Sequence, residues 1–205
     1  MEGRTIQSIG GGDNGGKITC SDGSTEYTYK TDKNGNFIII QKNKKLETIY
    51  DKNFNLVSMQ YETFEAGTNK IITLDANRKV VSKQYNTVMA DGTNKTIIEN
   101  YDSQGNKTNE QHKIETNAYI ITETYDINGQ KTHFLKTNKG KTPLLEQSWE
   151  MLENGNKQHI YQDYETGTKI TTITDADNTI ISKETKLNPG DKTKQKIIEH
   201  VDNNR

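Results

Sequence analysis

An Asp-x-Asn-x element recurs along the chain: Asp32-Lys33-Asn34-Gly35, Asp51-Lys52-Asn53-Phe54, Asp75-Ala76-Asn77-Arg78, Asp126-Ile127-Asn128-Gly129 and Asp202-Asn203-Asn204-Arg205. Asp102-Ser103-Gln104-Gly105 and Asp175-Ala176-Asp177-Asn178 are near-copies, and Glu153-Asn154-Gly155 is a shortened one. From Asp51 onward the separations are 24, 27, 24, 27, 22 and 27 residues, a unit of about 25 that alternates into a double unit near 51. Self-similarity at a fixed period is the signature of a repeat architecture. It confines the chain to folds that lay down one supersecondary unit many times.

The residues of the element identify the unit. Asp at the first position of a type I turn accepts backbone hydrogen bonds, Asn tolerates the bridge region, and Gly at the fourth position supplies the left-handed conformation that closes a hairpin. Each copy is therefore a hairpin tip. A second class of turn falls between the tips, at Ala66-Gly67, Asp91-Gly92, Thr116-Asn117, Lys139-Gly140, Thr166-Gly167 and Pro189-Gly190. A unit then reads strand, tip, strand, turn, and the chain is a long antiparallel meander of about 14 or 15 strands over residues 17–205. The stretch 144–152 around Trp149 fits this period better as a strand than as a helix. Residues 1–16, with Gly10-Gly11-Gly12 and Gly15-Gly16, read as a flexible glycine-rich leader ahead of the repeat domain.

Composition fixes how thick such a sheet can be. Only 29% of the 205 residues are apolar, tyrosine included, too few to fill a thick core. The chain instead carries 22 Ile, 27 Thr and 10 Tyr, which favour strands, and 22 Asn, which favour turns. The near-balance of 27 basic and 28 acidic residues and the presence of only two prolines argue against disorder. In Ala118–Tyr125, Tyr119, Ile121 and Tyr125 fall on one face, and Ile120 with two threonines on the other. Both faces are half polar, which disfavours a sandwich. The expected fold is all-β: an open or single-layer twisted sheet of tandem hairpins.

Immediately before the tips stand Tyr50, Leu74, Tyr101, Tyr125, Leu152, Thr174 and Val201, bulky in six of the seven. Stacked in register they would form a cross-strand ladder. Two positions back lie Glu99, Glu123, Thr172 and Glu199, so the face that carries tyrosine also carries carboxylates, which need partners wherever they are buried.

The units Tyr101-Asp102-Ser103-Gln104-Gly105 and Tyr125-Asp126-Ile127-Asn128-Gly129 resemble the YD repeat of Rhs-type proteins, in which a Tyr-Asp pair precedes a glycine-centred tip; Tyr50-Asp51 matches as well. Leu74, Thr174 and Val201 replace the tyrosine elsewhere, and Phe54, Arg78 and Asn178 the glycine. The resemblance implies a bacterial, exported or surface-exposed β-sheet scaffold that binds protein or glycan or encloses a cargo. The Thr/Lys/Glu/Ile-rich composition is also similar to the single-layer sheets of spirochaete outer-surface lipoproteins.

Other chemistry finds little purchase. A net charge of −1 without a basic stripe argues against nucleic-acid binding. The longest apolar run, Phe37-Ile38-Ile39-Ile40, is far short of a membrane span, and Met1–Arg4 leads into no apolar signal segment. Asp32-x-Asn34-x-Asn36 and Asp51-x-Asn53-x-Asn55 have the oxygen spacing of calcium loops, but each offers mostly one carboxylate, so no metal site is assigned. His112, His133, His159 and His200 have no metal-ligand spacing and read as surface residues; Cys20 has no companion His at a recognisable spacing. No cofactor motif occurs, and recurring pairs such as Glu99 and Glu123 are repeat positions, whereas catalytic pairs are singular.

The expected function is a non-enzymatic, exported or cell-surface repeat scaffold presenting a protein- or glycan-binding face, free-standing or as part of a larger Rhs-like polypeptide. Tyr50, Tyr101 and Tyr125 are the candidate binding residues, because repeated aromatic rings make a platform for sugars or side chains. The alternative is a compact four-bladed propeller or barrel, one blade per double unit, holding a small ligand.

Overall fold

A computed structural model describes residues 6–12, 15–20, 26–41, 45–187 and 195–200. Among them all regular structure is β: no helix occurs, hence none long and apolar enough to cross a membrane. Contacts divide the chain into two units, residues 1–87 with 98–108, and residues 88–97 with 109–205.

The first unit contains β1 (Ile6–Gly12), β2 (Gly15–Cys20), β3 (Glu26–Thr31), β4 (Phe37–Gln41), β5 (Leu46–Tyr50), β6 (Leu56–Glu65), β7 (Thr68–Asp75) and β8 (Val80–Val88) up to Thr87. Each pairs antiparallel with the next in the chain. Strands β9 (Asn94–Tyr101) and β10 (Lys107–Glu115) contribute residues to both units. The second unit continues with β11 (Tyr119–Tyr125), β12 (Lys131–Asn138), β13 (Pro143–Met151), β14 (Lys157–Asp163), β15 (Thr168–Thr174), β16 (Ile180–Leu187) and β17 (Gln195–His200). Its ladder runs unbroken and antiparallel from β10 to β17.

The fold is thus the expected all-β hairpin meander, and substantial strand packing joins sequence neighbours. An eight-strand ladder without interruption has no place for four-stranded blades, so the propeller alternative is set aside. Within the glycine-rich start, Gly10, Gly11 and Gly12 pair with Lys17, Gly16 and Gly15. Backbone hydrogen bonds need no side chain, and an antiparallel partner two residues away suffices to order glycine as strand.

The tips explain the repeat. In six of them the Asp Oδ1 accepts two backbone N–H groups, as at Asp32 from Asn34 (2.8 Å) and Asn36 (2.9 Å) and at Asp126 from Asn128 (2.9 Å) and Gln130 (2.8 Å). Asp51, Asp75, Asp102 and Asp175 do the same. The fourth residue takes a positive φ whether it is Gly105 (89°), Gly129 (75°), Phe54 (61°), Arg78 (62°) or Asn178 (65°). This is a type I turn followed by a left-handed bulge residue, and the ladder register shifts at Tyr50, Leu74, Tyr125 and Thr174, the residues just before the tips. The shortened copy begins one residue early: Leu152 occupies the Asp position, with Gly155 N–H donating to Leu152 O at 2.9 Å. Between tips, Ala66 (φ 48°) and Gly67 (φ 78°) make a two-residue turn closed by the Glu65–Thr68 pair. The tip at Asp202 and the turn at Pro189-Gly190 lie outside the described residues.

Burial shows how thin the layer is. Only Tyr27, Ile38 and Ile72 among the described apolar residues, and Gln41 and Thr48 among the polar ones, fall to 9% exposure or below. Among the described side chains, most others in the strands are half-buried on whichever face they stand. Neighbouring side chains on the same face contribute to the cover.

Candidate functional site

The tyrosines expected to form a platform are built into braces. Tyr101 donates to Glu99 Oε2 at 2.8 Å, and Tyr85 to the same oxygen at 3.2 Å, while the Lys83 ammonium lies 4.6 Å from the centre of the Tyr101 ring. Tyr125 repeats the arrangement in the second unit. Its hydroxyl donates to Glu123 Oε2 at 2.9 Å, Lys131 pairs with Glu123, and the Lys131 ammonium lies 5.8 Å from the Tyr125 ring centre. The spacing explains the bond: residues i and i+2 of a strand share a face, so a tyrosine two places after a glutamate reaches it. Burial opposes ionisation of Glu123, but the bonds from Lys131 and Tyr125 outweigh it and hold the carboxyl below its usual range. Burial, with Glu123 beside it, pushes the Tyr125 hydroxyl up.

Tyr50 has another setting, opposite Phe37 and Leu56, where Phe37 stacks on Phe54 at 4.7 Å between ring centres. The residues before the tips do not stack on one another. They stand on alternate strands of the meander, so each meets a residue of the strand between: Leu74 meets Met59 and Val80, and Tyr125 meets Glu110 and Lys131. Tyr50 and Tyr101 belong to the first unit and Tyr125 to the second.

Within the second unit a concavity of about 490 Å³ opens beside Trp149 and His159, with Lys157, Thr172, Thr174 and Asn178 along its floor and rim. Register places its centre. Trp149 pairs with His159 and His159 with Thr172, so three adjacent strands bring these side chains to one face. The Trp149 and His159 rings stack at 4.9 Å, inclined by 11°. Burial pushes the His159 pKa down, which favours the neutral ring, and its Nε2 lies 3.1 Å from Gln147 Oε1. Short threonines next to the tall ring pair create the hollow.

A second hollow of about 520 Å³ shares His159 and Thr172 with the first and continues past Tyr161 and Ile170 toward Thr166. The two form one groove along β14 and β15. Of the charged residues that line it, Lys157 donates to Asn178 Oδ1 at 2.8 Å, Lys131 pairs with Glu123, Asp126 caps its own tip and Asp163 Oδ1 accepts Glu165 and Thr166 N–H, while Glu150 is exposed and alternates with Trp149 along β13. Met151, at 59% exposure, stands at the mouth. The groove combines aromatic walls, hydroxyl and amide groups and little free charge, a composition suited to a polar, uncharged ligand.

Sequence reasoning passed over this groove. Trp149 read only as part of a strand, and His159 as a surface residue; His112, His133 and His159 are all half-buried in the layer. The available signal was that Trp149 is the sole tryptophan and shares strand parity with Gln147 and Met151.

No protein-family model matches the chain, and no curated protein is similar to it. Among solved structures it is similar to a component of the Photorhabdus luminescens Tc holotoxin pore carrying the TccC3-D651A mutation, with 10% identity and a TM-score of 0.23 over 98% of this chain. It is similar also to TcdB2-TccC3-TEV, with 11% identity and a TM-score of 0.20, and to TcdB2-TccC3-Cdc42, with 12% and 0.20. The chain spans about 14% of the length of the chains that it matches.

Proposed function

We propose that this chain is a non-enzymatic, YD-repeat-like scaffold of an exported or surface-exposed protein, either a binding module or a segment of a larger Rhs-like shell, that presents a sheet face to a protein or glycan partner. One observation carries the reading: side chains on both faces of the meander stay half-solvated while the backbone is pinned at every described tip by the same turn. Such a layer is a stiff display surface. Its carboxylates support the non-enzymatic part of the reading, because Glu99 and Glu123 recur as hydrogen-bond acceptors for tyrosine.

The test is to apply the purified chain to glycan arrays and to immobilised extracellular proteins while assaying the same panels for turnover. Saturable binding without product formation is expected. Chemical conversion of a panel member, or no saturable binding to either panel, would sink the reading.

A further inference from the structure

The groove beside Trp149 admits a sharper assignment, which rests on the reading of the chain as a binding scaffold. We infer that the groove along β14 and β15 binds a linear, neutral oligosaccharide, with the Trp149–His159 ring pair and Tyr161, two residues further along β14, side by side in its middle.

Three observations select this ligand. The first is the form of the groove: two hollows sharing His159 and Thr172 follow one face from Lys157 to Asp163, a run of roughly 20 Å at strand rise, room for about four sugar rings in line. The second concerns the backbone. β14 and β15 are interior strands, paired on both sides, so their N–H and C=O groups lie in the ladder. An extended peptide gains much of its affinity by adding to a free sheet edge and finds none here. A ligand that carries its own hydroxyl groups and needs only side chains suits this floor.

The third is chemical. Pyranose rings have one face of C–H groups and a rim of hydroxyls; the walls offer Trp149, His159 and Tyr161 for the first, and the hydroxyls of Thr172, Thr174 and Thr168 for the second. Lys157 and Asp163 are engaged within the protein, and neither sign of charge dominates the floor, so nothing selects a sulfated or uronic chain.

Trp149 is the chain's only tryptophan, so its fluorescence reports on this groove alone. The experiment titrates the full chain with cellohexaose, maltohexaose, laminarihexaose and chitohexaose, and with a sulfated heparin oligosaccharide as the charged counterpart. A saturable change with at least one neutral hexasaccharide is expected. Thr172→Arg, which fills the groove while leaving the tryptophan, should weaken it by about tenfold or more, as should Tyr161→Ser. Phe64→Ser, an exposed aromatic outside the groove, should not, and circular dichroism verifies that each variant is folded. A response only to the sulfated chain overturns the ligand class. Binding of a glycan or protein that leaves Trp149 fluorescence and the Thr172→Arg variant indifferent overturns the groove but leaves the scaffold standing. No saturable binding of any probe, in solution or on arrays, overturns both.

Discussion

At the fourth position of each tip the backbone demands a left-handed residue, and the chain meets that demand with glycine at some tips and with Phe54, Arg78 or Asn178 at others. A Cβ on Gly105 would meet no atom within 4 Å, so its substitution is penalised by conformation alone. Gly105→Val should therefore destabilise the fold by about 1–2 kcal/mol in urea titration, whereas Gly105→Asn should be nearly neutral. The reverse change, Arg78→Gly, should stabilise by about 0.5–1 kcal/mol, because it removes a left-handed strain that arginine now bears. The first position makes a different prediction. Bonds from the Asn36 backbone, from the Asn55 side chain and from the Asn106 backbone are the leading causes that lower the pKa of Asp32, Asp51 and Asp102 respectively. Their ionisation is easier folded than unfolded, so their contribution is complete above the unfolded value near ~4 and is lost as pH falls through the lower folded values. The thermal midpoint should drop below about pH 4, and drop less in Asp102→Asn, because exposed tips lose little else on protonation. All of this was legible in the sequence, since a tip is closed by bonds between residues no more than four apart.

A hairpin of this chain is held by its ends and by what lies across its faces. The faces were only half legible. Glutamate two places before tyrosine is visible at Glu99 and Glu123, and strand geometry puts the two on one face; the lysine that completes each cluster comes from a neighbouring strand, Lys83 or Lys131, whose register depends on the bulge at the tip. Tyr125→Phe removes one hydroxyl from a half-buried carboxylate and should cost about 0.5–1.5 kcal/mol, read as a shift in the urea midpoint. In Glu123→Gln the same tyrosine change should cost less, since the acceptor no longer carries charge. An equal cost in both backgrounds would show that the cluster is not coupled. The ladder of residues before the tips failed as an expectation for a topological reason: tips fall on every second strand, so the strand between always intervenes.

Within each unit, packing between sequence neighbours means that stability accumulates strand by strand. Truncating even the best-buried residues should cost only what one layer supplies: Ile72→Ala, at a site of 9% exposure, should lose about 2 kcal/mol, the low end of the range for packed cores. Amide exchange should grade along each ladder, with β12 to β15 protected longest in the second unit; uniform protection would show a cooperative core instead. The repeat period, the turn chemistry and the all-β class follow from local bonds and from a composition that cannot fill an interior, so the chain declares them residue by residue. That the glycine-rich start pairs as strand, and that Trp149, His159 and Thr172 meet on one face, came only with the tertiary structure. Those meetings depend on cross-strand register, which a one-residue slip at any bulged tip would turn to the opposite face, and no local pattern encodes that choice.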